Sequence, residues 1–266
     1  MTRAPMSPAG RAGVALVSGA GLLVYGFLYL PLVILVLYSF DKSAINGWPI
    51  QGWSLAWYRQ IGLDDAMVGA VWNSVSVALR AVAIAVVLGT LAALAIHRYR
   101  FPGKGVFLFV ATLPIVLPGV VTGIAMLLFF SFFSVQLSLW TVLVGHATFC
   151  IVLVLNNVLA RLVRVPGELE EAAGDLGANP LRTFWHVTLP SIRTAVLSGA
   201  LLAFTLSFDE VVVTFFLTGR QNTLPMEIWG RLRRGFTPEI NAVATLIIAV
   251  SIVLIVSSQA ALREQA

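Results

Sequence analysis

Two adjacent carboxylates, Asp209 and Glu210, interrupt an otherwise apolar run over 194–218. A charged group deep in hydrocarbon is costly unless it is paired or hydrated, so such residues mark ion or solute paths by default. Counted back from Leu217–Thr218 as the outer end of the run, they lie roughly 12–14 Å inward at 1.5 Å per residue. Phe208 and Phe215 flank them and offer ring faces to an ammonium group. Adjacent helical residues point about 100° apart, so both carboxylates face one small solute only if the helix is broken. Arg80, early in the run 68–96, is the basic residue that could neutralise either of them. Two readings stay open: an Arg80–carboxylate pair that orders the bundle, or a site for a cationic solute.

Other chemistries lack their apparatus. His97, His146 and His186 are far apart in sequence and from any ligand-like cluster, so no metal site is expected. Cys150 is the single cysteine and sits in an apolar run, which excludes an internal disulfide or thiolate-ligated metal. There is no G-x-x-x-x-G-K phosphate loop, no H-E-x-x-H and no G-x-S-x-G. The chain should bind no cofactor itself, and its energy must come from a partner.

The elements that would position Asp209 and Glu210 follow from composition. Of 266 residues, 59% are hydrophobic and 11% charged, against about 25% charged in a soluble domain; mean hydropathy is +0.92. Too few charges remain to coat a soluble globule. Apolar runs at about 14–40, 68–96, 106–133, 137–160, 194–218 and 241–260 predict an all-α bundle of six membrane spans in a single domain. The first is too long for a signal-peptide core and is expected to be retained. Pro31, Pro114 and Pro118 fall inside runs, where neighbouring helices can absorb kinks. Gly119 and Gly123 form a pair that permits close helix approach.

The net charge of +5 sits in short clusters between runs, so it reads as orientation and headgroup contact rather than nucleic-acid binding. With both termini cytoplasmic, the inside connections hold ten Lys and Arg and the outside ones six. The basic 220–240 connection, with Arg220, Arg231, Arg233 and Arg234 around Trp229, weakens that bias. It reads either as a solvated or headgroup-facing segment or as a contact for an extracytoplasmic binding protein. Trp48, Trp53, Trp57 and Tyr58 between the first two runs read as interfacial anchors.

The one long polar connection is 161–193. Glu168, Glu170 and Glu171 follow Pro166-Gly167, in the first turn of a short helix whose positive end they favour. Leu169, Ala172, Ala173 and Leu176 share one face. Gly177 is placed for a left-handed cap, and Asn179-Pro180 for the N-cap and first position of a second helix. That helix carries Leu181, Phe184, Trp185 and Thr188 on one face, and Leu189-Pro190 should end it before the fifth span. Helices this short are unstable alone; they require the bilayer, the spans or a soluble partner to pack on.

Glu171-Ala172-Ala173, then Gly177, Val187 and Leu189-Pro190, resemble the EAA loop of bacterial ABC importer permeases, with Val187 where isoleucine is usual. WSLAWY at 53–58, Asn73-Ser74, LPIVLPGVVTGIA at 113–125, FTLSFDEVVVTFFLTG at 204–219 and LPMEIWGRLRRGFTPEINAVAT at 224–245 extend the likeness to the second permease of spermidine/putrescine-type importers. The resemblance implies a non-enzymatic permease subunit of the bacterial inner membrane. ATPase subunits holding ATP and Mg would dock on the loop through Glu171, Ala172, Ala173 and Gly177, with Leu189-Pro190 joining it to the fifth span. A second, related permease and an extracytoplasmic solute-binding protein complete the implied partners. Another small organic solute, amino-acid-like or opine-like, is the nearest alternative cargo; an ATP-independent channel or secondary transporter is the rival class.

Overall fold

The computed structural model of the chain describes residues 8–44, 47–235 and 237–263, and among them it is helical with no strand beyond one isolated antiparallel bridge, Asp41 to Trp53. Contacts divide the chain into two compact units, 65–229 and the pair 1–64 with 230–266.

The larger unit is built on α3 (Asp65–Arg98), α6 (Leu139–Leu162) and α9 (Leu189–Asp209). Among the buried positions of α3 are Ala78, Ala81, Ala85, Gly89 and Ala93, spaced three or four apart. This small-residue stripe lets backbones approach, the usual solution where lipid removes the hydrophobic drive for association. At Gly89 the approach is closest: a Cβ there would lie 2.8 Å from the Ile151 carbonyl oxygen. On α6, Val142, Phe149, Val154 and Val158 fill the space between the three helices, together with Ile192 and Ala203 of α9. Ser138 starts α6 with a capping box, its side chain accepting from the Trp140 amide while Thr141 accepts from the Ser138 amide.

Two expected spans are broken. The run 106–133 is not one helix but α4 (Lys104–Val116) and α5 (Gly119–Phe132), bent by 106°. Pro118 has no N–H to continue the ladder, and its ring forces Leu117 into an extended conformation with ψ 143°. Neighbouring helices do not absorb this kink. Gly119 and Gly123 do permit the expected close approach: α5 packs on α10 (Val212–Leu217), with Gly119 against Val212 and Gly123 against Phe216. The run 194–218 is likewise α9 followed by α10, separated at Glu210, whose ψ is 113°.

The polar connection contains α7 (Glu168–Asp175) and α8 (Pro180–Thr183), as expected. Leu189-Pro190 does not end the second helix, contrary to expectation. A π turn over Phe184–Thr188 carries α8 directly into α9, with the Leu189 amide bonding the Phe184 carbonyl. Pro190 has no amide for the carbonyl four residues back, and the wider turn absorbs the mismatch.

In the second unit, α1 (Pro8–Tyr38) and α2 (Ala56–Leu63) both pack on α12 (Pro238–Arg263). Between them Asp41 is buried and its Oδ1 accepts the amides of Ser43 and Gln51, while Trp57 donates to the Asp41 carbonyl. The connection 220–240 is not an irregular loop but carries α11 (Leu224–Arg234). Within this unit Arg231 bridges Asp64 at 2.6 Å and Glu239 at 3.1 Å.

By length and apolarity, four helical stretches among the described residues could cross a bilayer: Leu16–Tyr38, Asp65–Arg98, Leu139–Leu162 and Pro180–Asp209. The bent α4–α5 pair makes five. The sixth apolar run, 241–260, falls on α12, a helix of 26 residues.

Candidate functional site

Asp209 is the last residue of α9 and Glu210 the extended residue after it. The break separates their roles. Glu210 Oε1 accepts the Val213 amide at 2.9 Å, so its side chain caps the start of α10. Its carbonyl accepts the Thr214 hydroxyl at 2.8 Å. Asp209 is exposed on this chain and takes part in no ion pair or hydrogen bond among the described residues. The carbonyls of the last turn of a 21-residue helix point the same way as its negative end. Carboxylate and helix terminus therefore both attract a cation.

The break is braced from α6. His146 is buried, its Nδ1 2.8 Å from Ser207 Oγ and its Nε2 2.8 Å from Thr214 Oγ1. Since the single hydroxyl proton of Thr214 goes to the Glu210 carbonyl, Thr214 must accept from Nε2–H and Nδ1 accepts from Ser207. A neutral ring with that tautomer satisfies all three groups. Thr141, also on α6, donates to the Leu217 carbonyl at 2.7 Å and ties down the far end of α10. Sequence reasoning set His146 aside as isolated; polar Ser207 and Thr214 in the same apolar run as Asp209 were the available signal.

Arg80 is exposed and pairs with neither carboxylate. Phe208 is half-buried and stacks on Phe204, ring centroids 5.9 Å apart. Phe215 is exposed and meets Phe216 edge to face. Thus Phe208, Asp209 and Glu210 share the break, and Arg80 forms no ion pair with either carboxylate. Among the described residues no group of three or more His, Cys, Asp or Glu forms a metal site.

The polar connection has firm geometry of its own. Gly177 has φ +81°, its amide bonds the Gly174 carbonyl, and the Ala178 amide reaches back to Ala173, closing α7 in a Schellman motif. Asn179 Oδ1 accepts the Arg182 amide at 2.8 Å. Glu171 and Ala172 are exposed and Ala173 half-buried, while Leu189 is half-buried and Pro190 exposed. The apolar stripe stays largely uncovered: Leu176 is 89% exposed, Leu181 67% and Trp185 57%. Phe184 and Thr188 of the second stripe turn inward instead, Phe184 half-buried against the core and Thr188 buried.

Glu170, one residue before Glu171, turns inward. Arg98 Nη2 lies 2.6 Å from its Oε1, and Thr188 donates to the same oxygen at 2.6 Å. Burial works against the charged form, but the Thr188 and Arg98 hydrogen bonds and the Arg98 and His97 charges outweigh it, holding the carboxyl below its usual 4.5.

A family described as binding-protein-dependent transport system inner membrane component matches residues 85–263. The putrescine transport system permease protein PotI of Escherichia coli K12 is 43% identical over 242 residues, covering 87% of this chain and 85% of that protein. The spermidine/putrescine transport system permease protein PotC of Haemophilus influenzae is 37% identical, covering 91% and 94%. Among solved structures, a bacterial ABC transporter involved in import of the acidic polysaccharide alginate superposes with a TM-score of 0.75 at 18% identity, covering 97% of this chain and 99% of that one. The MetNI methionine ABC transporter gives 0.59 at 14% identity, covering 73% and 92%.

Proposed function

The chain belongs to the family of binding-protein-dependent transport inner membrane components, and we propose that it forms the membrane path for a polyamine in an ATP-driven importer. The observation that carries the cargo is Asp209: a carboxylate without a partner among the described residues, at the negative end of α9, beside the Phe208 ring. A protonated diamine presents two ammonium groups, which such a terminus attracts. The relatives named for putrescine and spermidine support the same cargo. In this reading Asp209 meets the solute, and Glu210 shapes the break that turns it there.

The chain sits in a bacterial inner membrane as six spans with both termini cytoplasmic. The connection 161–193 faces two ATPase subunits, which bind ATP and Mg; Glu171, Ala172, Ala173 and Gly177 dock, and Leu189-Pro190 leads into α9. A related second permease completes the path. A binding protein delivers the solute outside, and closure of the ATPases moves α7 and α8 so that access alternates across the break. ATP hydrolysis belongs to the partner; this chain contributes the route.

Uptake of labelled putrescine into vesicles holding the complete transporter tests this. Asp209→Asn should reduce uptake at least tenfold, roughly the loss of one charge-assisted contact, with the complex still assembled. Undiminished uptake of every cationic solute by both Asp209→Asn and Glu210→Gln would sink the assignment. Uptake of a neutral amino acid in place of putrescine would replace the cargo.

A further inference from the structure

Arg98 ends α3, Glu170 lies on α7, and Thr188 closes the π turn that opens α9. Three elements that are 72 and 18 residues apart along the chain thus meet at one carboxylate oxygen. Arg98 Nη2 also donates to Thr188 Oγ1 at 3.1 Å, which closes a ring of three hydrogen bonds. The hydroxyl has one proton and gives it to Glu170, so it accepts from Arg98; Nη2 only donates and Oε1 only accepts, so the three roles are compatible. Thr188 is 2% exposed, and the arginine and glutamate side chains are about one-third exposed. The end of α3 is itself held, because Lys104 donates to the Ile96 carbonyl. Nearby, Arg161 at the end of α6 donates to the Ser191 carbonyl in the first turn of α9.

Glu170 and Glu171 are neighbours on one helical turn and therefore point about 100° apart. Glu171 is exposed while Glu170 faces Arg98 and Thr188. The acidic first turn of α7 is accordingly divided between an outward carboxylate and an inward one.

We propose that Arg98 is a positioning residue for energy coupling: through Glu170 and Thr188 it fastens α3 to the connection between α6 and α9, so that a displacement of α7 moves α3 and α9 together. This rests on the importer reading, since the displacement is supplied by an ATPase. Arg98 touches neither solute nor nucleotide; its effect is on how much solute moves for each ATP consumed.

The test uses the whole transporter, purified with its ATPase, in vesicles, with putrescine uptake and ATP hydrolysis measured on the same preparation. Arg98→Gln and Glu170→Gln should retain the ATPase and its hydrolysis while uptake per ATP falls about fivefold, at the low end of allosteric coupling factors. The exchange R98E with E170R should restore most of the ratio. Thr188→Ser should keep it, and Thr188→Val should lower it, which provides a reading even if the charge exchange fails to assemble. Wild-type uptake per ATP in both single charge variants would overturn the proposal. So would losses that track lost ATPase on purification, which would make Glu170 a docking residue instead. A wild-type chain that retains no ATPase at all would overturn both this proposal and the importer reading beneath it.

Discussion

His146 Nε2 lies 2.8 Å from Thr214 Oγ1, across the break that separates α9 from α10. The contact fixes a six-residue helix that is too short to hold itself. Replacing His146 by Phe fills the space but strands the buried Ser207 hydroxyl, which costs about 1–3 kcal/mol, and leaves Thr214 with the Glu210 carbonyl alone. Thermal denaturation in detergent should show His146→Phe clearly destabilised and His146→Gln, which keeps one hydrogen bond, in between. Equal midpoints for all three would show that the imidazole does not brace the break.

Gly89 and Gly69 lie on the same helix and should respond oppositely to alanine. A Cβ at Gly89 would meet the Ile151 carbonyl oxygen at 2.8 Å and the Leu155 amide nitrogen at 3.0 Å, backbone atoms that cannot rotate away. Gly89→Ala should cost about 1–3 kcal/mol, the usual range for overpacking. Gly69 has open space around it, so Gly69→Ala should be neutral or gain up to about 1 kcal/mol of helix propensity. The pair is compared by denaturation midpoint, and a destabilising Gly69→Ala with a neutral Gly89→Ala would contradict the packing.

Helix content and the caps of the 161–193 connection were legible because their causes are local. Gly177 and Asn179-Pro180 act within a turn, and both are found as the spacing implies. The bend at Pro118 was half legible: its residue type announced a kink, but whether neighbours would straighten it depends on packing that spacing does not encode. The break at Glu210 was legible only as a condition, since two adjacent carboxylates share a task only if the helix opens. The Arg98–Glu170 and His146–Ser207 contacts were invisible, because they join residues 72 and 61 positions apart whose meeting depends on how α3, α6 and α9 cross. Arg80 shows the converse: charge complementarity with Asp209 was attractive on paper, and the fold pairs it with neither carboxylate.

Glu170 gives the connection a pH dependence with a definite sign. Its carboxyl is held below the usual 4.5 in the folded chain, so the stabilisation is fully present above that value. It is lost as pH falls through the lowered folded-state value. Hydrogen exchange of 168–188 should therefore be flat from neutral pH down to the usual carboxylate range, after correction for intrinsic rates, and rise below it. With both partners about one-third exposed, the pair is worth at most about 1 kcal/mol. In Glu170→Gln the acid-side rise should vanish.

Arg231 holds Asp64 and Glu239 with two different nitrogens, its own side chain being 14% exposed. Arg231→Met leaves two carboxylates facing each other. Breaking a buried pair costs about 3–5 kcal/mol, an upper bound here because Asp64 keeps 27% exposure. Arg231→Lys should fall between, since an ammonium lacks the fork that spans both partners. Proteolysis of the 39–64 segment should quicken in Met and less in Lys; unchanged cleavage in Arg231→Met would remove the bridge from any structural account.

Leu176 separates docking from folding more cleanly than any charged residue on the connection. It is 89% exposed, so Leu176→Asp removes almost no buried area, and a surface change of this kind stays within about 0.5 kcal/mol. If the uncovered stripe of Leu176, Leu181 and Trp185 faces an ATPase, the same substitution places an unpaired carboxylate in an apolar contact. That costs several kcal/mol of binding. The expected outcome is a full loss of ATPase on purification at an unchanged denaturation midpoint. Leu176→Met, which preserves apolar bulk, should keep the ATPase bound. Retention of the ATPase by Leu176→Asp would move the contact off this face and onto Glu171 and its surroundings alone.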